Sequence, residues 1–180
     1  MRAVPIAVTA LAVAFALTAC DDGGDAGGSA PSAARTKQSS STAACRLDGV
    51  GVQVGPASEA PAAGDTGVVP VTLTNRGATC TLKGFPGIEL TTGDASFDVA
   101  GNKAANPLKL TLRKGETATF DVTYVRGAAG GDKSAAVTDM NISLPGSDAQ
   151  SGSAWKYGDV ALKTAKTPDA TVSAFQRAGD

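Results

Sequence analysis

The sequence predicts an all-β fold: a two-sheet antiparallel β-sandwich with Greek-key, immunoglobulin-like connections, preceded by a signal peptide and a disordered tether. Three observations carry this. After position 45, apolar residues alternate with polar ones at a period of two, which marks strands with one buried face. Gly, Pro, Asn or Asp punctuates most intervals between those runs, as at Asn75-Arg76-Gly77, Phe85-Pro86-Gly87, Lys114-Gly115 and Leu144-Pro145-Gly146. No stretch of ten residues in that region carries apolar positions at helical spacing. Seven to nine short strands of this kind suit two packed sheets.

Residues 1–19 read as a cleaved signal peptide. Arg2 precedes an uncharged apolar stretch from Ala3 to Ala19. That stretch is short for a membrane span, and no basic stop-transfer signal follows it. Its end, Leu17-Thr18-Ala19-Cys20, resembles the lipobox of bacterial lipoproteins, which implies lipidation of Cys20 and a place on the outer, extracytoplasmic face of the cell membrane. Ala14-Phe15-Ala16 also fits the small-x-small cleavage rule, and cutting there would release a soluble chain. Two or more acyl chains, each buried CH₂ contributing about 0.8 kcal/mol, make a stable anchor where one chain is marginal.

The three cysteines agree with export. An odd count is awkward in an exported protein, but assigning Cys20 to lipid leaves Cys45 and Cys80 to pair. Their spacing lacks the close CxxC arrangement of redox or metal pairs.

From residue 20 to 44 the lipidated cysteine is followed by a tether of Gly, Ala, Ser, Asp and Thr without a bulky apolar side chain. It cannot bury enough surface to offset chain entropy. A flexible coil of that length spans roughly 27 Å. Asp21, Asp22 and Asp25 sit in a glycine context without the fixed geometry a cation needs, so they read as solvated.

Residues 45–180 form the domain. Its expected strands carry Val50, Val52 and Val54; Val69, Val71 and Leu73; Ile88 and Leu90; Phe97 and Val99; Leu108, Leu110 and Leu112; Ala118, Phe120, Val122 and Tyr124; Met140, Ile142 and Leu144; Val160 and Leu162; and a last run starting at Val172. Pro70 argues that its strand starts late or lies at an edge. Asn75 and Gly77 suit a turn with positive φ. Val, Leu, Ile and Phe total 34 of 180 residues, so the core is thin.

The segment from Leu73 to Leu90, LTNRGATCTLKGFPGIEL, resembles the DUF4232 domain of secreted and lipid-anchored proteins from high-GC Gram-positive bacteria. The family pattern is roughly L-T-N-x-G-x-x-C-x-L-x-G-[FY]-P-G-[VI]-x-L. It opens with a cysteine, here Cys45, and a later Gly-acid-x-Ala step matches Gly115-Glu116-Thr117-Ala118. The resemblance covers most of residues 45–145. Many members carry a second cysteine pair in the C-terminal third, which this chain lacks entirely. The resemblance implies a β-sandwich outside the membrane and implies no activity.

Composition narrows the function. The net charge is −1, without the clustered Lys/Arg run that nucleic acid requires. Without histidine there is no Ser-His-Asp triad, Cys-His dyad or imidazole metal site. Ser153-Ala154-Trp155-Lys156 matches S-x-x-K, but its partner motifs are absent and chance explains it. No P-loop, G-x-S-x-G or G-x-G-x-x-G occurs, and no cofactor or metal site is indicated. Asn141-Ile142-Ser143 is formally a sequon but reads as strand. The expectation is a non-catalytic module binding a protein or a cell-wall polymer. An envelope enzyme with convergent carboxylates and a small-ligand carrier with an apolar cavity are the alternatives. The candidate binding surface is Trp155, Tyr157 and Phe85. Trp155 and Tyr157, two apart on an expected strand, share a face and serve either as core or as surface. Phe85 either covers the end of the fold from a rigid turn or projects as an anchor.

Overall fold

The computed structural model describes residues 42–179. The expected signal peptide, Cys20 and the tether as far as Ser41 lie outside the described residues. After a 3-10 turn at Leu47–Gly49, every named element is a strand. In chain order these are β1 (Val50–Val54), β2 (Thr66–Asn75), β3 (Cys80–Leu82), β4 (Gly87–Thr91), β5 (Ser96–Gly101), β6 (Leu110–Leu112) and β7 (Thr117–Val125). They continue with β8 (Ser134–Ala135), β9 (Asp139–Ser143), β10 (Gln150–Ala154), β11 (Val160–Thr164), β12 (Thr167–Pro168), β13 (Ala170–Val172) and β14 (Gln176–Arg177).

The all-β expectation holds, but the expected pair of separate sheets does not form cleanly. One nine-stranded sheet runs β1-β2-β7-β13-β5-β4-β9-β10, with β14 also on β7, and it curls into a nearly closed, barrel-like form. The joining strand is β13, which pairs antiparallel with β7 and parallel with β5. A three-stranded sheet β12-β11-β8 and a two-stranded pair β3-β6 complete the fold. The last 35 residues therefore supply β10, β13 and β14 to the main sheet.

The spine is β2 on β7, in register from Thr66↔Val125 to Thr74↔Thr117. Alternation along both strands places Val69, Val71 and Leu73 against Ala118, Phe120, Val122 and Tyr124, all buried. Each such large side chain stabilises the fold by about 1.5–3 kcal/mol. Gly67 lacks a side chain where a Cβ would collide with the Tyr124 ring. From the other half come Ile88, Leu90, Phe97, Val99, Met140 and Ile142.

Two local expectations are corrected. Pro70 lies inside β2, a strand flanked by β1 and β7, and neither starts the strand nor marks a sheet edge. Its carbonyl accepts from the Gly55 N–H at 2.8 Å, on the side where β1 has just ended, so the absent proline N–H breaks no ladder. Asn75 and Gly77 do not adopt positive φ. The turn is instead closed by hydrogen bonds: the Gly77 N–H donates to Asn75 Oδ1 at 3.0 Å, and Arg76 and Gly77 N–H groups donate to the Gly49 carbonyl.

Candidate functional site

Cys45 and Cys80 form the expected disulfide. It holds the entering segment beside β3, where the Thr81 N–H donates to the Ala43 carbonyl and the Cys45 N–H to the Thr81 carbonyl, both at 2.9 Å. Thr81 thus spends both backbone groups on that segment. Its partner across the pair, Thr111 of β6, turns its own N–H and C=O away from β3.

That side of β6 lies next to an opening at the end of the β5–β13 pair. β5 and β13 run parallel, in register at Thr171↔Ala100 and Val172↔Gly101, and a last bond joins the Asn102 N–H to the Val172 carbonyl at 2.8 Å. Beyond it the chains part. One continues through residues 102–109 into β6; the other passes Ser173–Phe175 into β14 on β7. They meet again where Arg177 Nη2 donates to the Thr111 carbonyl at 3.3 Å. Between them lies a seam of about 440 Å³, lined by Asn102, Asn106, Leu108, Leu110, Phe175 and Arg177 among others.

The seam has an apolar base and a polar rim. Phe175 is buried and meets Phe120 edge-on at 6.0 Å, so the base continues into the core. Leu110 is partly buried, and Leu108 is 69% exposed, the one large apolar side chain so exposed among the described residues. The expected strand face Leu108-Leu110-Leu112 is therefore corrected: only Leu110–Leu112 is strand, and burial falls away from Leu112 toward the seam. On the rim, Arg177 Nη1 lies 3.6 Å from Glu116 Oε2. The Arg113 N–H donates to that carboxylate at 2.8 Å and, with the Arg177 charge, holds its pKa below the ordinary range.

The predicted aromatics are placed elsewhere. β10 ends at Ala154, so Trp155 and Tyr157 lie in the following loop and not on a strand. Trp155 is buried, edge-on to Tyr124 at 5.0 Å, and its Nε1 donates to the Gly158 carbonyl at 2.7 Å. It is a core residue, which corrects its place in the binding surface. Tyr157 is partly buried, with its ring 4.9 Å from that of Trp155. Burial first, then Glu59 and Tyr124, pushes its hydroxyl pKa up. Phe85 is partly buried over Gly101, where a Cβ would press on its ring at 2.9 Å. Gly84, at φ +92°, starts that turn and its carbonyl accepts from the Phe175 N–H at 3.4 Å. Phe85 thus supports one wall of the seam and is not brought together with Trp155 and Tyr157.

Two further hollows lie elsewhere. One, a shallow and open space of about 590 Å³, is lined by Ala63, Val125, Ala128 and Ala161 together with Asp132 and Lys133. Arg126 beside it is engaged with the Ala60 carbonyl at 2.7 Å. On the outer sheet face Glu89 and Asp98 stand opposite each other in a hollow of about 110 Å³, with Asn141 Nδ2 donating to Glu89 Oε2 at 3.3 Å. Small-molecule sites usually occupy about 300–1,000 Å³.

Sequence reasoning missed Leu108, Phe175 and Arg177 as site residues. The available signal was a leucine directly after the loop-forming run Gly101-Asn102-Lys103-Ala104-Ala105-Asn106-Pro107 and beside Lys109.

Neither comparison with curated proteins nor comparison with solved structures finds a match. Comparison with protein families matches residues 45–176 to a domain of unknown function, DUF4232. That span starts at the disulfide cysteine and ends beside Arg177, taking in both walls of the seam; the chain belongs to the DUF4232 family.

Proposed function

We propose that this chain is a lipid-anchored bacterial lipoprotein of the outer, extracytoplasmic membrane face, held through Cys20, whose β domain is a non-catalytic binding module for a protein or envelope polymer. The observation that carries the binding reading is the seam between β6 and β14. An exposed leucine over an apolar base that continues into the core gains by being covered. The anchor reading rests on the Leu17–Cys20 pattern and on Cys45 and Cys80 being joined to each other. The facing carboxylates Glu89 and Asp98 are the best feature for the enzyme alternative, but their hollow is below the size of ordinary substrate sites.

The test is site-specific photo-crosslinking with the full chain in its own cells. A photoreactive residue at Leu108 is expected to yield a discrete adduct, and one at Gln53, exposed on β1, is expected to yield none. Absence of an adduct at 108, or equal labelling at 53, would remove the seam as the contact face.

A further inference from the structure

We infer that the partner entering the seam is an extended, acidic segment of a protein, which adds as a strand between β6 and β14. This rests on the binding reading above and names its partner. The first argument is backbone geometry. Thr111 turns its N–H and C=O away from β3, and its carbonyl accepts from Arg177 Nη2 at 3.3 Å across the end of the seam. On the opposite wall the Ala178 N–H donates to the Thr117 carbonyl, and Gln176 pairs with Thr119, which leaves Arg177 in a non-hydrogen-bonded pair with Ala118. Arg177 therefore turns its backbone groups away from β7. Both residues border the end of the seam, where the exposed Arg177 side chain caps the Thr111 carbonyl, and an added strand would replace that contact.

The side chains fit the same occupant. An extended chain directs alternate residues to opposite sides. One set would rest on Leu108, Leu110 and Phe175; the rim amides Asn102, Asn106 and Gln176 can both donate and accept toward its backbone. Charge selects the other set. From Val99 to Thr119 the chain carries Lys103, Lys109, Arg113 and Lys114, all exposed, against Glu116 alone. Glu116 is already held by Arg113 and Arg177. Lys103 and Lys109 are exposed on the same segment, residues 102–109, that carries Leu108, so acidic side chains find cations beside this wall. A lipid surface would use Leu108 and the lysines but not the strand edges. A polyphosphate-like chain would leave the apolar base unused. An acidic peptide uses all three.

The test measures binding of fluorescent peptides to the lipidated protein reconstituted in neutral phosphatidylcholine vesicles. The probe is a nine-residue peptide of alternating Glu and Val. Controls are the same peptide with Lys for Glu and the same peptide N-methylated at alternate residues. Anionic phosphatidylglycerol vesicles and polyphosphate are the competitors. The Glu/Val peptide is expected to bind, and loss of about two backbone hydrogen bonds in the N-methylated form to weaken it roughly tenfold. L108S and the pair K103E/K109E are expected to weaken it while leaving the melting temperature unchanged. Equal binding of the N-methylated peptide overturns strand addition, and equal binding of the Lys peptide overturns the acidic preference. Displacement of the peptide by vesicles or polyphosphate through Leu108 reassigns the surface to lipid or polyanion. No peptide binding alongside a persistent cross-link at 108 overturns this inference but leaves the binding reading standing; loss of both removes both.

Discussion

Asn75 is a buried polar residue on which several chain segments converge. Its Nδ2 donates to the Ala78 and Leu112 carbonyls, each at 2.9 Å, and its Oδ1 accepts from the Gly77 N–H. Its backbone carbonyl accepts from Gly115 at 2.7 Å and its N–H donates to Glu116. One buried side chain thus ties the end of β2 to the end of β6 and to the turn that leads into β7. Buried polar groups left unpaired cost about 1–3 kcal/mol each. N75A removes two side-chain donor bonds and the acceptor that closes the turn, so it is expected to lower stability by about 2–4 kcal/mol. Urea unfolding measures this, and a loss under about 1 kcal/mol would mean that water replaces the side chain. N75D keeps the acceptor but loses both donors, so it should restore little.

At the scale of elements, strands that bury one face were legible in the sequence and their neighbours were not. Val50-Val54, Val69-Leu73, Ile88-Leu90, Phe97-Val99 and Ala118-Tyr124 alternate in the sequence and form β1, β2, β4, β5 and β7. β10, QSGSA, and β14, Gln176–Arg177, carry no large apolar side chain, so periodicity had nothing to register. The insertion of β13 between β7 and β5 is a matter of long-range pairing, which a period of two does not encode. That is why the two expected sheets merge, and why a seam at their junction could not be read beforehand. The disulfide was legible from cysteine arithmetic, and its effect belongs to this scale. It fixes the entering segment beside β3 and so the outward-facing edge of β6. C45S/C80S is expected to lose about 3–4 kcal/mol in the chain-entropy account of a loop with a 35-residue separation. Thermal melts with and without reductant check this: the parent should fall to the level of the variant on reduction, and a variant as stable as the oxidised parent would contradict it.

For the whole molecule, the cysteines and the seam make one argument. With Cys45 and Cys80 joined, Cys20 is the remaining cysteine of the sequence, and it follows Leu17-Thr18-Ala19 at the end of an uncharged apolar stretch. If Cys20 is acylated, the anchor raises the effective concentration, at the seam, of any partner held at the same surface. Strand addition of modest affinity then suffices. Growth with an alkyne-bearing fatty acid is expected to label the parent and C45S/C80S but not C20S, because labelling follows the leader cysteine and not the domain pair. Cleavage after Ala16 instead gives an unlabelled, freely diffusing domain in all three. In that outcome no anchor concentrates the partner, and the seam has to hold it with the affinity that the free peptide shows.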